Sequence, residues 1–280
     1  MIIWIASYPK SGNTWVRAFL TSYYFTDDGT FDPNHLEKIP DYPNKTLFAE
    51  NHKIGHGEIH KFWSLSQRKI IKKQKFRFLK THNALLKVHN KEFTTPEFTL
   101  GLIYIVRDPR NVITSLKNYY NYDSYEEALN FMMDDANYIW GENNDYAKSQ
   151  IISSWKINYI SWAKKNKYKK ILIKYEDMIT NPEKTFEKLI IFINNITNVK
   201  HAVDRNKLQK AILSTNFENM KKIEKEGNFK EKILSRGNQD TKQFFYLGPQ
   251  NNWKKMLDKN IINKINQNLL SELEELNYET

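Results

Sequence analysis

The chain has 280 residues, 40% hydrophobic and 14% aromatic, which is enough to build a sizeable core and too apolar for a disordered chain. It has no cysteine, so a disulfide framework and a thiolate metal site are excluded, while a reducing compartment is allowed. The 43 basic residues against 32 acidic ones leave a formal charge of +11, which favours anionic partners without choosing among nucleotides, acidic glycans, nucleic acid and membrane surfaces.

Ile2 to Ala6 is an apolar run rich in β-branched residues and predicts a buried first strand. No basic segment precedes it and it stops at Pro9, so it does not read as a signal peptide. The stretch SYPKSGNTWVRAFL, starting at Ser7, then sets Trp15, Val16, Phe19, Leu20 and Tyr23 on one face at helical spacing. Strand, tight turn, helix is the layout of an anion site. The first helical turn carries unpaired N–H groups at the positive end of the dipole, Gly12 admits close backbone approach, and Lys10 adds a mobile charge. The segments 25–35 and 39–45 are turn-rich and predict surface loops. Basic runs at 68–75 and 164–170 read as solvated faces.

Phe76 to Thr81 predicts a short strand that delivers Lys80, Thr81 and His82. Leu100 to Val106 is a continuous apolar run, as in a central parallel strand, followed by Arg107, with Asp108 as N-cap and Pro109 as the first residue of a new helix. The stretch 169–178 repeats the pattern of a strand and then polar residues. Asn181 then serves as cap, Pro182 as first helical residue, and Phe186, Leu189, Ile190 and Ile193 as the inner face. Residues 225–253 mix charges, glycine and aromatics as a mobile lid would, and an amphipathic helix from Lys259 to Leu276 closes the sequence. The longest apolar runs fall far short of the roughly 20 residues of a membrane helix, and a cytoplasmic protein is expected.

These units predict an α/β fold, a mostly parallel central sheet with helices on both faces, in one large domain or two small ones. Ligands of such sheets bind beyond the carboxyl ends of the strands, so Lys10, Lys80 to His82, Arg107 and Tyr175 should converge on one edge. A Walker A loop needs its Lys after the second Gly, whereas Lys10 precedes Gly12 and no earlier Gly exists. Two alternatives remain at this level: a kinase using Mg-ATP, and a basic nucleic-acid-binding protein whose affinity falls steeply with salt. His52, His56 and His60 are spaced as metal ligands on one helix face, but Gly55 and Gly57 interrupt any such helix.

Read together, YPKSGNTW, LKTH (79–82), YIVRDPRNVITSLKNYY (104–120), YEDM (175–178) and STNFENMKK (214–222) resemble, in order, blocks of the sulfotransferases that use 3′-phosphoadenosine 5′-phosphosulfate (PAPS). The resemblance implies a single sulfotransferase domain over 1–280 with a P-loop NTPase-like α/β fold, and sulfuryl transfer from PAPS to an acceptor oxygen or nitrogen, with 3′-phosphoadenosine 5′-phosphate (PAP) as product and no metal. It implies that Lys10 neutralises the departing bridge oxygen, that Lys80 holds the sulfuryl oxygens, and that His82 takes the acceptor proton, a role that suits an imidazole titrating near neutrality. Ser11, Gly12, Asn13 and Thr14 would cradle the 5′-phosphate, mainly by backbone N–H groups and the Thr14 hydroxyl. Arg107 and Ser115 would grip the 3′-phosphate, and Trp15 and Phe217 would sandwich the adenine, with Tyr175 and Thr215 nearby. Gly248 and Trp253 fit a further family block, but Tyr246 and Leu247 replace its basic pair, leaving Arg236 or Lys242 as substitutes. The histidine segment 52–60 would then line or cover the acceptor pocket. A small molecule or a glycan is the implied acceptor, with no nucleic acid partner. The Thr-Val dimer motif of vertebrate cytosolic members is missing after Trp253.

Overall fold

The computed structural model describes every residue except 45, 47–54, 56, 72–74, 142–147, 165–166, 230–232 and 235–240, and omits the side chains of 233, 234, 241 and 242. Four strands, β1 (Ile2–Ser7), β2 (Arg77–Thr81), β3 (Thr99–Val106) and β4 (Lys170–Lys174), form one parallel sheet in the order β2-β1-β3-β4. All six residues of β1 are buried, and successive residues feed opposite faces. Ile2, Trp4 and Ala6 enter one core, and Ile3 and Ile5 the other. The edge strand β4 instead alternates buried and exposed positions along Lys170 to Ile173.

Helices cover both faces, as expected. The core of Ile3 and Ile5 is closed by α1 (Asn13–Phe25), α6 (Tyr175–Thr180), α7 (Pro182–Thr197) and α8 (Arg205–Ser214). Phe19 of α1 stacks on Phe186 of α7 with ring centroids 4.0 Å apart. The core of Trp4 is closed by α2 (Trp63–Ile71), α3 (Pro109–Tyr120), α4 (Tyr125–Met133), α5 (Trp155–Ala163) and α11 (Lys259–Glu275), with Trp63, Trp155 and Trp162 fully buried. Each large apolar side chain removed from water contributes about 1.5–3 kcal/mol, so these two layers dominate the fold. The short α9 (Phe217–Lys225) and α10 (Trp253–Met256) belong to the rim of the site.

Three local expectations are corrected. The segment 39–45 is no plain surface loop: Lys80 N donates to Pro40 O (3.0 Å), Tyr42 N donates to Lys80 O (2.6 Å), and Tyr42 is fully buried against Trp4 and Phe93. An aromatic ring with that much apolar surface outweighs the turn-forming residues beside it. Residues 175–178 are the start of α6 rather than a polar loop, and Asn181 N still donates to Asp177 O at its end. Asn181 therefore precedes α7 without capping it by its side chain, which donates to Thr180 Oγ1 instead. Asp108 does cap α3, accepting from Arg110 N at 2.9 Å.

The chain steps from β1 to β2 on one side and returns to β3 on the other, so the strand order reverses between β1 and β3. A crevice opens at the carboxyl ends of strands at such a reversal.

Candidate active site

The turn after β1 holds Lys10 at φ 64° and Gly12 at φ 101°, both left-handed. Gly12 is required twice over. Its φ disfavours any L side chain, and a Cβ there would lie 2.6 Å from a Tyr175 ring carbon. It precedes α1 as a cap without a side-chain bond, so the helix entry is served by backbone alone. Asn13 turns inward, its Nδ2 donating to Ile5 O (3.2 Å) and Ser7 Oγ (3.1 Å). Those bonds lock the turn to the strand it leaves.

Arg107, at the end of β3, crosses the crevice. Its Nη1 donates to Lys10 O at 3.0 Å, and its guanidinium lies 4.1 Å from the centre of the Tyr175 ring. Asp108 N beside it donates to Glu176 Oε1 (3.0 Å), and Glu176 Oε2 accepts from Tyr278 OH (2.8 Å). Burial raises the Glu176 pKa, while these donors and Arg107 oppose that shift. Asp108 also holds Arg110 by Nε and Nη2 at 2.9 and 2.8 Å. Arg110 in turn covers the Trp253 ring at 4.0 Å, and Asn251 bonds to Asn111 and Thr114, so residues 248–253 dock on α3. This docking seats Gly248 against Phe217, where a Cβ would come within 2.2 Å of the ring.

At the end of β2, Lys80 Nζ is 3.1 Å from Asp41 Oδ1. His82 is fixed from several sides. Its Nδ1 lies 2.8 Å from Ser7 O, its backbone N–H donates to Gln150 Oε1 (2.6 Å), and its carbonyl accepts from Asn158 Nδ2 (3.0 Å). A carbonyl only accepts, so Nδ1 carries the hydrogen and Nε2 presents a lone pair. Burial first, then the Lys80 charge, push the His82 pKa down to about 3, against the opposing pull of the Ser7 carbonyl and Asp41. The near-neutral value expected for this histidine is thus corrected, because the ring is desolvated by burial and stands near the charges of Lys80 and Lys10. For Asp41, burial raises the pKa, but Lys80, Arg17 and His82 outweigh it and hold the carboxyl well below the ordinary range.

These groups face one cavity of about 330 Å³, the size of a small-ligand site. Lys10, Gly12, Asn13, Thr14, Trp15, Lys80, His82, Arg107, Ser115, Tyr175, Thr215, Phe217 and Gly248 all line it. Ser11 does not: it is fully buried under the turn and its Oγ has no hydrogen-bond partner. Thr215 faces the cavity with its hydroxyl hydrogen committed to Ala211 O at 2.7 Å. Arg107 Nε and Trp15 Nε1 are buried without partners, and such orphaned donors cost about 1–3 kcal/mol each unless a ligand accepts from them. Lys10 Nζ sits 4.1 Å from the Tyr119 ring centre and 4.4 Å from that of Phe244.

The sequence reasoning missed Asp41, Gln150, Tyr119, Phe244 and Asn251 as individual wall residues. Tyr119 and Phe244 came from stretches whose aromatic density was a visible signal; Gln150 and Asn251 gave none. Tyr246 and Leu247, which replace the expected basic pair, line the cavity, whereas Arg236 and the Lys242 side chain lie outside what the structure describes. His52 and His56 also lie outside the described residues. His60 packs against Trp63 and His89, with Nδ1 3.0 Å from Gly57 O, and does not line the cavity. Among the described residues no group of three or more His, Cys, Asp or Glu could hold a metal, and no helix is long and apolar enough to cross a membrane.

A family model described as "Sulfotransferase domain" matches residues 2–276. No curated protein matches the chain by sequence. Among solved structures, mouse sulfotransferase SULT7A1 complexed with PAP is 20% identical, with 97% of this chain and 84% of that one covered at a TM-score of 0.59. Retinol dehydratase in complex with androsterone and inactive cofactor PAP is 16% identical, with coverages of 97% and 80% and a TM-score of 0.56. Retinol dehydratase in a complex with retinol and PAP is 15% identical, with coverages of 97% and 81% and a TM-score of 0.59. At these identities the likeness is one of fold.

Proposed function

Because the chain belongs to the sulfotransferase domain family, we propose that it moves a sulfuryl group from PAPS to an acceptor hydroxyl or amine and releases PAP. The observation that carries this reading is the convergence of Lys10, Lys80, Arg107 and a tautomer-fixed His82 from three strand ends onto one cavity. The orphaned Arg107 Nε and Trp15 Nε1, and the glycine cradle at Gly12, fit an anionic nucleotide. The solved neighbours hold PAP, which agrees with that ligand class.

When bound, PAPS supplies an SO₃ group already activated for in-line transfer; the chain has to bind, orient and balance charge. The backbone N–H groups at Gly12, Asn13 and Thr14 hold the 5′-phosphate, with the Thr14 hydroxyl. Arg107 and Ser115 select the 3′-phosphate, a group that ATP lacks. Trp15, Phe217 and Tyr175 clamp the adenine, and Gly248 leaves room for the Phe217 ring. Lys10 leaves its aromatic seat to meet charge on the leaving oxygen, while Lys80 holds the sulfuryl oxygens. His82 Nε2 takes the acceptor proton as the acceptor oxygen or nitrogen bonds to sulfur. The negative charge of a bound nucleotide raises the His82 pKa from its low resting value toward one useful for a general base. A carbohydrate-type hydroxyl is the acceptor this reading favours, ahead of a small phenol or alcohol, and the enzyme works in the cytoplasm.

Thermal unfolding tests the reading. A ligand at about 100 times its Kd adds about 2.7 kcal/mol, which for this size is a shift of several degrees. A shift is expected with adenosine 3′,5′-bisphosphate but not with ADP or ATP, with or without Mg²⁺, and it should vanish in Arg107→Ala. A shift confined to Mg-ATP, or none with the bisphosphate, would overturn the assignment.

A further inference from the structure

We propose that Asp41 is the acceptor-recognition residue of this site, and that it selects uncharged or cationic, donor-rich acceptors such as neutral sugars over acidic ones. The inference rests on the sulfotransfer reading and deepens it. Asp41 lies in the 39–44 segment, which the structure ties down at three places. Lys80 N bonds to Pro40 O, Tyr42 N bonds to Lys80 O, and the buried Arg17 guanidinium of α1 donates to Leu36 O (3.2 Å) and Ile39 O (2.9 and 3.1 Å). The carboxylate is therefore presented by a fixed backbone, not by a wandering loop.

One oxygen, Oδ1, is committed to Lys80. No described residue pairs with Oδ2, and the side chain is 51% exposed on the cavity wall, against 14% for Lys80. An ionised carboxylate accepts hydrogen bonds and donates none, so Oδ2 calls for a hydroxyl, amine or ammonium on the incoming molecule. The same charge repels a carboxylate or sulfate brought to it across a low-dielectric cavity. Beside it stand His82, which addresses the reacting hydroxyl, and Gln150, which offers amide hydrogens. The walls of Tyr119, Tyr120 and Phe244 suit the C–H face of a sugar ring. Lys10 and Arg107 are assigned to the anionic nucleotide, Arg17 is turned to the carbonyls of Leu36 and Ile39, and Lys80 faces Oδ1, so Oδ2 is the anionic atom left to meet the acceptor.

The test uses two matched probes, 4-nitrophenyl β-D-glucopyranoside and 4-nitrophenyl β-D-glucuronide, which differ only at C6, a hydroxymethyl group in the first and a carboxylate in the second. Each is titrated into the full chain saturated with PAP, and each is assayed for PAPS-dependent sulfation. The wild type is expected to prefer the glucoside by about tenfold or more, equivalent to about 1.4 kcal/mol. In Asp41→Asn the preference should fall to roughly threefold or less, and in Asp41→Glu, which keeps the charge, it should persist. Equal binding of both probes by wild type, binding of neither, or an undiminished preference in Asp41→Asn would each overturn the proposal. PAP melting shifts in both variants check the fold. A wild type that does not bind PAP at all defeats the sulfotransfer reading before the acceptor question arises.

Discussion

The wall of the cavity that carries Gly12, Arg107 and Tyr175 is built from consecutive strand ends of one sheet, whereas the wall that carries Asp41, Tyr119, Gln150 and Phe244 is gathered from four distant stretches of chain. In the first, each functional group sits within a few residues of a strand end, and bonds between neighbouring strand ends or to the strand just left hold it, as Arg107 is held to Lys10 O and Asn13 to Ile5 O. In the second, placement depends on tertiary contacts such as Arg17 with Ile39 O and the Glu224 carboxylate with Phe244 N and Phe245 N. The difference teaches that one wall of this cavity follows directly from the sheet, while the other depends on contacts among segments outside it.

The sharpest way to separate the two walls is at their shared residue. Replacing His82 by Ala should lower kcat by about 10²–10⁴-fold while PAP affinity stays within a few-fold of wild type. Isothermal titration with PAP beside a PAPS turnover assay measures both; retained turnover would remove His82 from the chemistry, and lost PAP binding would make the walls inseparable. Next in size is Gly12→Ala, which breaks the first wall only. A Cβ at φ 101° pressed on Tyr175 should cost about 1–3 kcal/mol of stability and weaken PAP at least tenfold. A melting temperature and PAP affinity both equal to wild type would show that the turn is not rigid.

The third test concerns pH. His82 titrates at about 3 when folded and near 6.5 when unfolded, so between those values the unfolded chain binds more protons. Stability should therefore rise with pH across that window and be lost as pH falls toward 3. In His82→Gln that part of the slope should disappear from urea midpoints measured at pH 4 and pH 6.5. An unchanged slope would mean that the imidazole is not desolvated by the cavity wall.

The same contrast governs what could be read before the structure. The four strands, the tight turn before α1 and the place of Arg107 are legible because each is a local pattern: an apolar run, a Gly shortly after a Lys, a Pro at the first helical position. Asp41 was not, since Pro40 and Pro43 advertise a turn and nothing in the neighbouring letters reveals that Tyr42 is core or that Pro40 meets Lys80. The Ser11 hydroxyl faces inward, and nothing in a polar residue of an anion turn tells from the letters alone which way its side chain points. Asn181 does stand at the N-cap of α7, with Thr185 N donating to its carbonyl, but the short helix before it leaves no signal in a six-residue stretch with so few apolar positions.

The bond between Ser7 O and His82 Nδ1 ties two functions to one piece of backbone. Ser7 stands three residues ahead of Lys10 and five ahead of Gly12, so the orientation of the His82 ring and the position of the Gly12 turn are set by the same short length of strand. The distance between ring and turn is in effect a covalent ruler. No side-chain replacement at position 7 can remove a main-chain carbonyl, so the ring is shielded from mutation at this point of attachment. A distortion of β1 that moves the turn moves the ring with it. If the two carry the roles proposed for them, drift at this end should abolish binding and catalysis together, while drift on the opposite wall would change the acceptor.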